Sequence, residues 1–188
     1  MHRQPLLRLL DQYLERNPGD RVRVDHVRHF VRVHADCFER TCLEGHITGS
    51  AWIVSADYRH VLLAHHRKLD RWLQLGGHAD GETDPAQVAL REAREESGLA
   101  HFEPWAAESF PLDIDVHVIP ARGDEPAHLH HDVRYLLVAL PGQPLRVSEE
   151  SLALRWFERD RVHEVSTEPS LLRMAERADE LLTQGRQR

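Results

Sequence analysis

Three glutamates in the middle of the chain, Glu92, Glu95 and Glu96, have a spacing that could hold a metal ion. On a helix they stand at positions i, i+3 and i+4, so their carboxylates project from one face. Like charges on adjacent turns repel one another. A hard divalent cation such as Mg²⁺ removes that repulsion, because it prefers oxygen ligands. A solvated acidic helix face has the same spacing, and the trio alone leaves that alternative open.

The residues around the trio favour the metal-binding interpretation. Asp84 and Pro85 predict a helix start, because aspartate caps the first turn and proline suits the first helical position. Gly98 is placed to end this helix in a left-handed conformation. Upstream, Gly76 and Gly77 let main-chain atoms approach an ion or a phosphate. Small or apolar residues on the inner side of the helix predict close packing on a sheet: Ala86, Ala89, Leu90 and Ala93.

Residues 77–99 resemble the sequence box of the Nudix hydrolases, G-x5-E-x7-R-E-U-x-E-E-x-G-U, in which U is apolar. Gly77 matches the first glycine. After the required spacing of fourteen residues, the remaining matches are Arg91, Glu92, Ala93, Glu95, Glu96, Gly98 and Leu99. The preceding stretch from Lys68 to His78 is similar to a subgroup of the family with the pattern Lys-Leu-x-x-Trp-Leu-Gln-x-Gly-Gly-His.

This resemblance implies a hydrolase that cleaves a diphosphate linkage with Mg²⁺ or Mn²⁺ as its cofactor. The metal ligands that it implies are Glu92, Glu95, Glu96 and the carbonyl of Gly77. The three glutamates are then also the catalytic residues, and Glu92 either binds metal or acts as a base toward the attacking water. Arg91 and Gly98 receive structural roles, Arg91 by holding a glutamate through charge-assisted hydrogen bonds.

One position departs from the box. The isolated glutamate is expected at residue 83, which is Thr83, and Glu82 stands beside it. Either the loop shifts by one residue and brings Glu82 into place, or that contact is absent. Because this glutamate is less central in the family than the helix trio, we expect activity to survive.

Two predicted strands each place polar side chains on one face. In residues 111–119 these are Asp113, Asp115 and His117, and in residues 129–140 they are His130, Asp132 and Arg134. If the strands pair with these faces aligned, Asp115, His117, His130, Asp132 and Arg134 line a pocket beside the acidic helix. The ring would bind substrate or an additional metal. Polar strand faces that simply meet solvent are an equally good interpretation.

Other residues close to the glycine loop are candidates with ordinary alternatives. His78 binds metal or a substrate phosphate, or supports the loop as a structural histidine. Lys68 and Arg71 are placed to meet a phosphate tail, although exposed loop cations are often inert. Glu149 and Glu150 would supply an extra loop carboxylate, or belong to a solvated turn.

A zinc site is the less favoured interpretation of the cysteines and nearby histidines. The residues concerned are His34, Cys37, Cys42 and His46, and their spacing fits no common zinc pattern. Two cysteines are also too few for a disulfide framework.

The composition indicates one cytoplasmic globular domain. The chain has 188 residues, of which 41% are hydrophobic and 29% charged. Its net charge of −7 argues against sequence-independent binding to nucleic acid. No apolar run is long enough to cross a bilayer, and the N-terminus lacks the features of a secretory signal. The fifteen histidines are scattered along the chain.

The periodicity of apolar residues and the order of the elements predict one α/β sandwich-like domain that begins with a helical extension. The resemblance implies that its mixed sheet is of the Nudix α/β/α type. Helices are expected over 4–16, 23–36, 85–97 and 170–183. Strands are expected over 47–55, 60–64, 72–75, 111–119 and 129–140 and at Trp156-Phe157. We divide the chain into an extension, residues 1–40, and a Nudix hydrolase domain with a C-terminal helix, residues 41–188.

The leading hypothesis is a metal-dependent hydrolase of a nucleoside diphosphate derivative, a small-molecule substrate, with the N-terminal helices serving as a lid or a homodimer contact. One alternative is an enzyme like the isopentenyl diphosphate isomerases. These need a cysteine just before the glycine, where this chain has Gly76 preceded by Leu75. The other alternative is a non-catalytic module that binds a nucleotide ligand, which is expected to lack the acidic trio.

Overall fold

The centre of the fold is a mixed sheet, seen in a computed structural model that describes residues 2–105, 110–123 and 126–185. Over these residues eight strands pair into one sheet. They are β1 (Gly45–Ser55), β2 (His60–His66), β3 (Arg71–Leu73), β4 (Leu75–His78), β5 (Phe102–Pro104), β6 (Asp113–Ile119), β7 (His128–Ala139) and β8 (Ser151–Glu158). The four α-helices of the same residues are α1 (Gln4–Arg16), α2 (Arg21–Val33), α3 (Pro85–Ser97) and α4 (Pro169–Gly185). The predicted fold class and the N-terminal helical region are confirmed.

Strand β1 organises the sheet. It runs parallel to β7 over its whole length, from the pair Gly45–Leu129 to the pair Ser55–Ala139, and antiparallel to β2 and β4. Strand β7 also pairs antiparallel with β5 and β6, and β2 with β3 and β8. Because β1 is covered on both faces, its residues are buried almost without interruption.

Helices cover the two faces of the sheet. On one face α3 packs against β1, and its apolar residues share a core with Ile47, Ala51 and Val133. On the other face Trp52, Leu63 and Leu136 share a second core with the apolar side of α4. Side chains alternate between the faces along each strand, so neighbouring residues of β1 serve different cores.

Helices α1 and α2 contribute Leu6, Leu10, Val27 and Phe30 to the same core as α3. These helices thus share a core with the rest of the fold, and the division of the chain into residues 1–40 and 41–188 stays a prediction. Residues 1 and 186–188 lie outside the described residues. Within the ranges that the structure describes, no helix combines the length and apolarity needed to span a bilayer.

Several boundaries differ from the predicted ones. The strand predicted over 72–75 is two strands, because Arg71–Leu73 pairs with β2 whereas Leu75–His78 pairs with β1. Helix α2 begins two residues earlier than predicted, after a short 3₁₀ turn at Pro18–Asp20, and ends at Val33, where His34 turns extended. Strand β8 is longer than Trp156-Phe157, and β5 was not predicted.

Candidate active site

Helix α3 positions the acidic trio. The Asp84 side chain accepts a hydrogen bond from the Ala86 amide at 3.0 Å and Pro85 occupies the first turn, as the sequence predicts. The helix ends where Gly98 adopts a left-handed conformation, with φ of 72°. Val88, Ala89 and Ala93 are fully buried against the sheet. The glutamates therefore occupy the remaining part of the helix surface, at its C-terminal end.

The glycine loop lies directly against two of the three glutamates. The Gly76 amide donates a hydrogen bond to Glu96 Oε2 at 3.0 Å. A Cβ atom at Gly77 would stand 2.6 Å from Glu92 Oε2, which is closer than real Cβ contacts. Any larger residue at position 77 would therefore displace the Glu92 carboxylate. Glu95 is exposed at the mouth of the site, whereas Glu96 is buried and Glu92 is partly exposed.

Arg91 joins the helix to the loop. One of its terminal nitrogens donates to Glu92 Oε1 at 2.7 Å and to the carbonyl of His78 at 2.6 Å. The guanidinium thus fixes the Glu92 carboxylate and the end of β4 together by charge-assisted hydrogen bonds. This is the contact that the sequence resemblance implies for Arg91.

The electrostatics of this site are those of uncompensated negative charge. Burial raises the pKa of Glu96 to about 8, and the charges of Glu92, Glu150 and Glu95 add to the rise, against the hydrogen bond from Gly76. Burial also raises the pKa of Glu92, with Glu95 and Glu150 contributing, although Arg91 acts in the opposite direction. Glu150 lies just before β8, so the loop carboxylate expected from the sequence is close enough to act on both glutamates.

This donor set fits a hard divalent cation. Carboxylate oxygens are the ligands that Mg²⁺ and Mn²⁺ prefer, and Arg91 supplies one positive charge against four carboxylates. A bound dication would supply the positive charge that balances the carboxylates of Glu92 and Glu96. Gly77, whose carbonyl the sequence resemblance implies as a further ligand, is the register partner of Gly49 in the ladder between β1 and β4.

Glu82 lies outside this cluster. Its side chain is exposed and accepts a hydrogen bond from the Asp84 amide at 2.9 Å, so it shapes the turn that precedes α3. Thr83 is half-buried. Of the two expectations for this position, the position of Glu82 favours the one in which the contact of the family's isolated glutamate is absent.

Strands β6 and β7 pair with their polar faces aligned, which the sequence pattern left open, through the register pairs Asp113–Arg134, Asp115–Asp132 and His117–His130. The outcome differs from an open pocket beside α3. Arg134 is 1% exposed and donates to Asp113, Asp115, Asp132 and Ser170. Thr48 and Ser50 of β1 donate to Asp132 at 3.0 and 2.8 Å, which places the set on the face opposite α3.

Helix α4 closes this polar set. Arg173 donates to Asp113 at 2.9 Å and also to Asp115, and Arg177 donates to Asp113 and to Asp20. Tyr13 accepts from Arg177 and donates to Asp20. We call these residues the ionic network: Tyr13, Asp20, Asp113, Asp115, Asp132, Arg134, Arg173 and Arg177. Burial raises the pKa of Asp115, but the hydrogen bond with His117 and the charges of Arg134 and Arg173 outweigh it and hold that pKa well below its ordinary value.

The substrate-binding roles of Asp115, Asp132 and Arg134 stay predictions, and their positions favour a structural role, because their polar atoms are committed to one another. Lys68 lies in the exposed turn before β3, apart from the glutamates. Arg71 forms an ion pair of 3.6 Å with Glu168 beside a cleft of about 430 Å³. The cleft is lined by Asp70, Arg71, Trp72, Val165, Ser166, Thr167 and Glu168, and no sequence pattern indicated it.

The remaining polar candidates, His78, His117 and His130, come together with His46 and His128 at the edge of the same sheet face as the ionic network. The rings of His46, His78 and His130 have centroids 4.7–5.0 Å apart.

The four residues considered as a zinc site do not form one group. His46 belongs to the histidine cluster, while His34 and Cys42 lie beside Asp36. Cys37 and Cys42 are free, buried thiols.

Comparison with known proteins identifies the family. A sequence model of the NUDIX domain matches residues 46–183. The chain belongs to the Nudix family. Its subgroup stays a prediction, and none of the curated protein sequences matches the chain.

Solved Nudix structures share the fold. The C. elegans Ap4A hydrolase binary complex is 15% identical, with a TM-score of 0.59 over 73% of this chain and 97% of that chain. A Nudix-family hydrolase from Clostridium perfringens is 25% identical, with a TM-score of 0.53 over 72% and 97%. The E. coli dihydroneopterin triphosphate pyrophosphohydrolase is 15% identical, with a TM-score of 0.52 over 69% and 92%.

The Nudix protein is accordingly a pyrophosphohydrolase that acts on phosphorus-containing anhydrides. Enzymes of this family generally use divalent metal ions. The isomerase alternative remains disfavoured, since Leu75 and Gly76 stand where a cysteine would be needed. The binding-module alternative is disfavoured by the presence and clustering of Glu92, Glu95 and Glu96.

Proposed function

We propose that this Nudix protein hydrolyses a diphosphate linkage in a nucleoside diphosphate derivative and that it depends on Mg²⁺ or Mn²⁺. The observation that carries the proposal is the position of Glu92 and Glu96, which lie against Gly76 and Gly77. The pKa values of both glutamates are raised, and Arg91, which pairs with Glu92, does not balance the negative charge of the site. Such an arrangement costs stability unless a cation or a positively charged complex occupies it. A divalent ion bound there would neutralise the diphosphate and lower the pKa of a water molecule.

Each residue of the site has a separate task in this proposal. Glu96 is anchored by the Gly76 amide and holds the ion at the buried end of the site. Glu95 completes the ligand set at the exposed end, and the Gly77 carbonyl is a further ligand. Arg91 orients Glu92. Glu92 is therefore either a ligand or the base that takes the proton from the attacking water, and Glu150 is the second candidate for that base.

The cleft beside Trp72 is our candidate for the part of the substrate that is not phosphate. Trp72 packs on His65 with ring centroids 5.0 Å apart, and Ser166, Thr167 and Glu168 add polar groups to the opposite wall. Trp72 and Gly76 are four positions apart, so the chain between them spans at most ~14 Å. Trp72 and Val165 pack against the core on the α4 side of the sheet, so the phosphates of a nucleoside held in this cleft would have to turn toward α3 to reach the glutamates.

The names of two structural neighbours support phosphoanhydrides of nucleotides or similar compounds as the substrate class. These neighbours are described as an Ap4A hydrolase and as a dihydroneopterin triphosphate pyrophosphohydrolase, both of which act on compounds with phosphoanhydride bonds. His78, Lys68, His117 and His130 remain candidates for contacts with such a substrate. We assign Asp115, Asp132 and Arg134 to the frame of the fold instead. A cytoplasmic location, a homodimer contact through the N-terminal helices and the absence of nucleic-acid binding remain predictions.

The proposal is tested with a panel of dinucleoside polyphosphates, nucleotide sugars and nucleoside triphosphates, each incubated with the protein and Mg²⁺ or Mn²⁺. We expect phosphorylated products with at least one member and no turnover in a chelator. Glu96→Gln should abolish turnover, whereas the matched control Glu176→Gln, on the exposed side of α4, should not change it. Lack of turnover across the panel with both ions, or an active Glu96→Gln variant, contradicts the proposal.

A further inference from the structure

Three histidines from three different strands converge on one point. His46 lies near the start of β1, His78 at the end of β4 and His130 near the start of β7. One ring nitrogen from each can be chosen so that all three lie within 4.8 Å of one another. The Nε2 atoms of His46 and His130 are 3.1 Å apart. His46 is 1% exposed, and the other two are half-buried.

The backbone ladders of the sheet fix this convergence. His46 is the register partner of His130, and His78 is the register partner of Thr48, two residues further along β1. Residues two apart in a strand share a face, so the three imidazoles must lie on the same side of the sheet. Their arrangement is therefore set by main-chain pairing and needs no mobile loop.

The spacing of the nitrogens suits a small cation with nitrogen ligands. Zinc binds histidine nitrogen at 2.0–2.1 Å, so two imidazole nitrogens on a tetrahedral zinc stand ~3.3 Å apart. The 3.1 Å between His46 and His130 is close to that value. Among the described residues, this set brings three nitrogen donors to one point without a carboxylate or a lysine in it.

Two of the three imidazoles, those of His46 and His130, are held neutral, which is the form that binds metal. Burial lowers the pKa of His46 to about 4, and the nearby His78 and His128 contribute. Burial likewise lowers the pKa of His130 to about 2, with His46 and His117 contributing. Metal binding at these two rings therefore does not have to displace a proton from an imidazolium.

The surroundings add an orienting carboxylate. His117 stands at the side of the cluster, its ring centroid 5.4 Å from that of His130, and its Nδ1 lies 3.1 Å from Asp115 Oδ2. A histidine oriented by a carboxylate is a frequent partner in metal sites, where the carboxylate fixes the ring and raises its basicity. His117 is therefore placed as a fourth ligand or as a neighbour of a ligand.

We propose that His46, His78 and His130 form a second metal site that binds one Zn²⁺ or a similar borderline transition-metal ion. Imidazole nitrogen suits zinc, cobalt and nickel, whereas Mg²⁺ prefers oxygen. The site is thus chemically distinct from the carboxylate centre, and it does not depend on the proposed hydrolase activity. It joins β1, β4 and β7 at the point where β4 leaves the sheet.

The location gives the ion a structural consequence for the glycine loop. Gly77 faces α3 and Glu92, whereas His78, the next residue, faces the other side of the sheet. The His78 carbonyl is held by Arg91. An ion on His78 would therefore fix the end of β4 from one side while Arg91 fixes it from the other.

The test uses untagged, chelator-treated full-length protein with zinc or cobalt chloride as the probe. Equilibrium dialysis with metal analysis should give one tightly bound ion per chain, and bound Co²⁺ should show visible absorption that zinc displaces. Removing a ligand in His78→Gln or His130→Gln should weaken binding at least about a hundredfold. Zinc should raise the melting temperature of the native protein and leave that of His78→Gln unchanged.

Three control variants locate the bound ion. His101→Gln changes an exposed histidine far from the cluster. Cys42→Ser tests the other set of donors that lie together, His34, Asp36 and Cys42. Glu95→Gln tests the carboxylate centre. All three should bind zinc as the native protein does.

Three results overturn the proposal: native protein without tight zinc binding, undiminished binding in His78→Gln, or loss of binding in Glu95→Gln or Cys42→Ser. His78 is half-buried at a strand end, so its variant decides the question even if His130→Gln fails to fold. Hydrolase activity does not enter any of these readouts, so the failure of one proposal is distinguishable from the failure of the other.

Discussion

Two groups of carboxylates lie on opposite faces of the central sheet and differ in the cations beside them. In the ionic network, Asp20 and Asp115 meet Arg134, Arg173 and Arg177, and the pKa values of both aspartates lie below the ordinary range despite their burial. On α3, Arg91 pairs with Glu92, Glu96 accepts a hydrogen bond from the Gly76 amide, and the pKa values of both glutamates are raised. The comparison teaches that buried carboxylates paired with arginines are part of the structural frame, whereas carboxylates without enough arginine partners indicate a binding site.

The largest expected effect is that of Glu96→Gln on turnover. The variant keeps an oxygen that accepts from the Gly76 amide but loses the charge that a metal ion needs. We expect turnover to fall at least about a thousandfold, equivalent to about 4 kcal/mol of transition-state stabilisation. The melting temperature of the metal-free protein should stay equal or rise, because glutamine is neutral at every pH, whereas Glu96 must either keep a proton or carry an unmatched buried charge. Steady-state kinetics and thermal unfolding measure the two effects.

A lower melting temperature of metal-free Glu96→Gln would contradict the contrast between the two groups, since it would mean that the Glu96 carboxylate has stabilising partners in the metal-free protein. Glu176→Gln is the control for both measurements.

Arg134→Met tests the opposite side of the sheet. The substitution removes the cation at the centre of the ionic network and leaves Asp113, Asp115 and Asp132 short of a partner. We expect the free energy of unfolding to fall by about 3 kcal/mol, as for other broken buried ion pairs. Urea denaturation measures the loss, and the KM of the folded enzyme should not change.

Arg161→Met is the matched control, because Arg161 pairs with Glu158 and Glu164 on the exposed surface and should have no measurable effect. A selective rise in KM for Arg134→Met at unchanged stability would instead support the substrate-binding role of Arg134.

Gly77→Ala should have a smaller effect that is confined to the site. The new methyl group would press on the Glu92 carboxyl, whose nearest oxygen would lie 2.6 Å from it. Displacement of Glu92 should lower turnover about tenfold to a hundredfold, because misplacement of about 1 Å is costly in an active site. Gly19→Ala, where a Cβ meets nothing within 4 Å, is the control. Equal activity of the two variants would show that Glu92 tolerates displacement.

The pH dependence of stability should also separate the two groups, because their contributions differ in sign. In a chelator, Glu96 keeps its proton up to about pH 8 in the folded protein but loses it near 4.5 when unfolded, so stability falls as pH rises between these values. The pKa values of Asp20 and Asp115 lie below 3.8, so their contribution is complete above that pH and is lost as pH falls further.

Urea denaturation across pH 4–9, in native protein and in Glu96→Gln, measures this difference. The variant should lose the decline at higher pH and keep the loss in acid. Identical pH profiles for the two proteins would show that Glu96 is not the group responsible.

The local parts of the site were predictable from the sequence. Asp84, Pro85 and Gly98 define α3 through contacts within a few residues, and the helical period alone puts Glu92, Glu95 and Glu96 on one face. Alternation likewise predicted one polar face for β6 and one for β7, although their alignment was left open. These features depend on backbone geometry that is the same in every protein.

The parts that depend on distant residues were not predictable. Arg173 and Arg177 reach Asp113 across 60 and 64 positions, so strand alternation could not tell whether helix or solvent covers the polar face. His46 meets His130 across 84 positions, and its sequence neighbours Cys37 and Cys42 suggested a different set of donors. The sequence pattern predicts one strand over 72–75 where the structure has two, because glycines that pair through the main chain leave no pattern of side chains.

The bond between Tyr13 and Arg177 joins residues 164 positions apart, and this distance has a consequence for the order of events during synthesis. Helices α1 and α2 leave the ribosome before the sheet and α4, yet Asp20 meets Arg177 only after α4 has been made. Until then Asp20 has Tyr13 and Arg23 as partners within the nascent chain. A segment that is translated before the sheet is thus fixed only after the sheet is complete, and a ribosome stalled before residue 177 would carry α1 and α2 in a form that a protease can still reach.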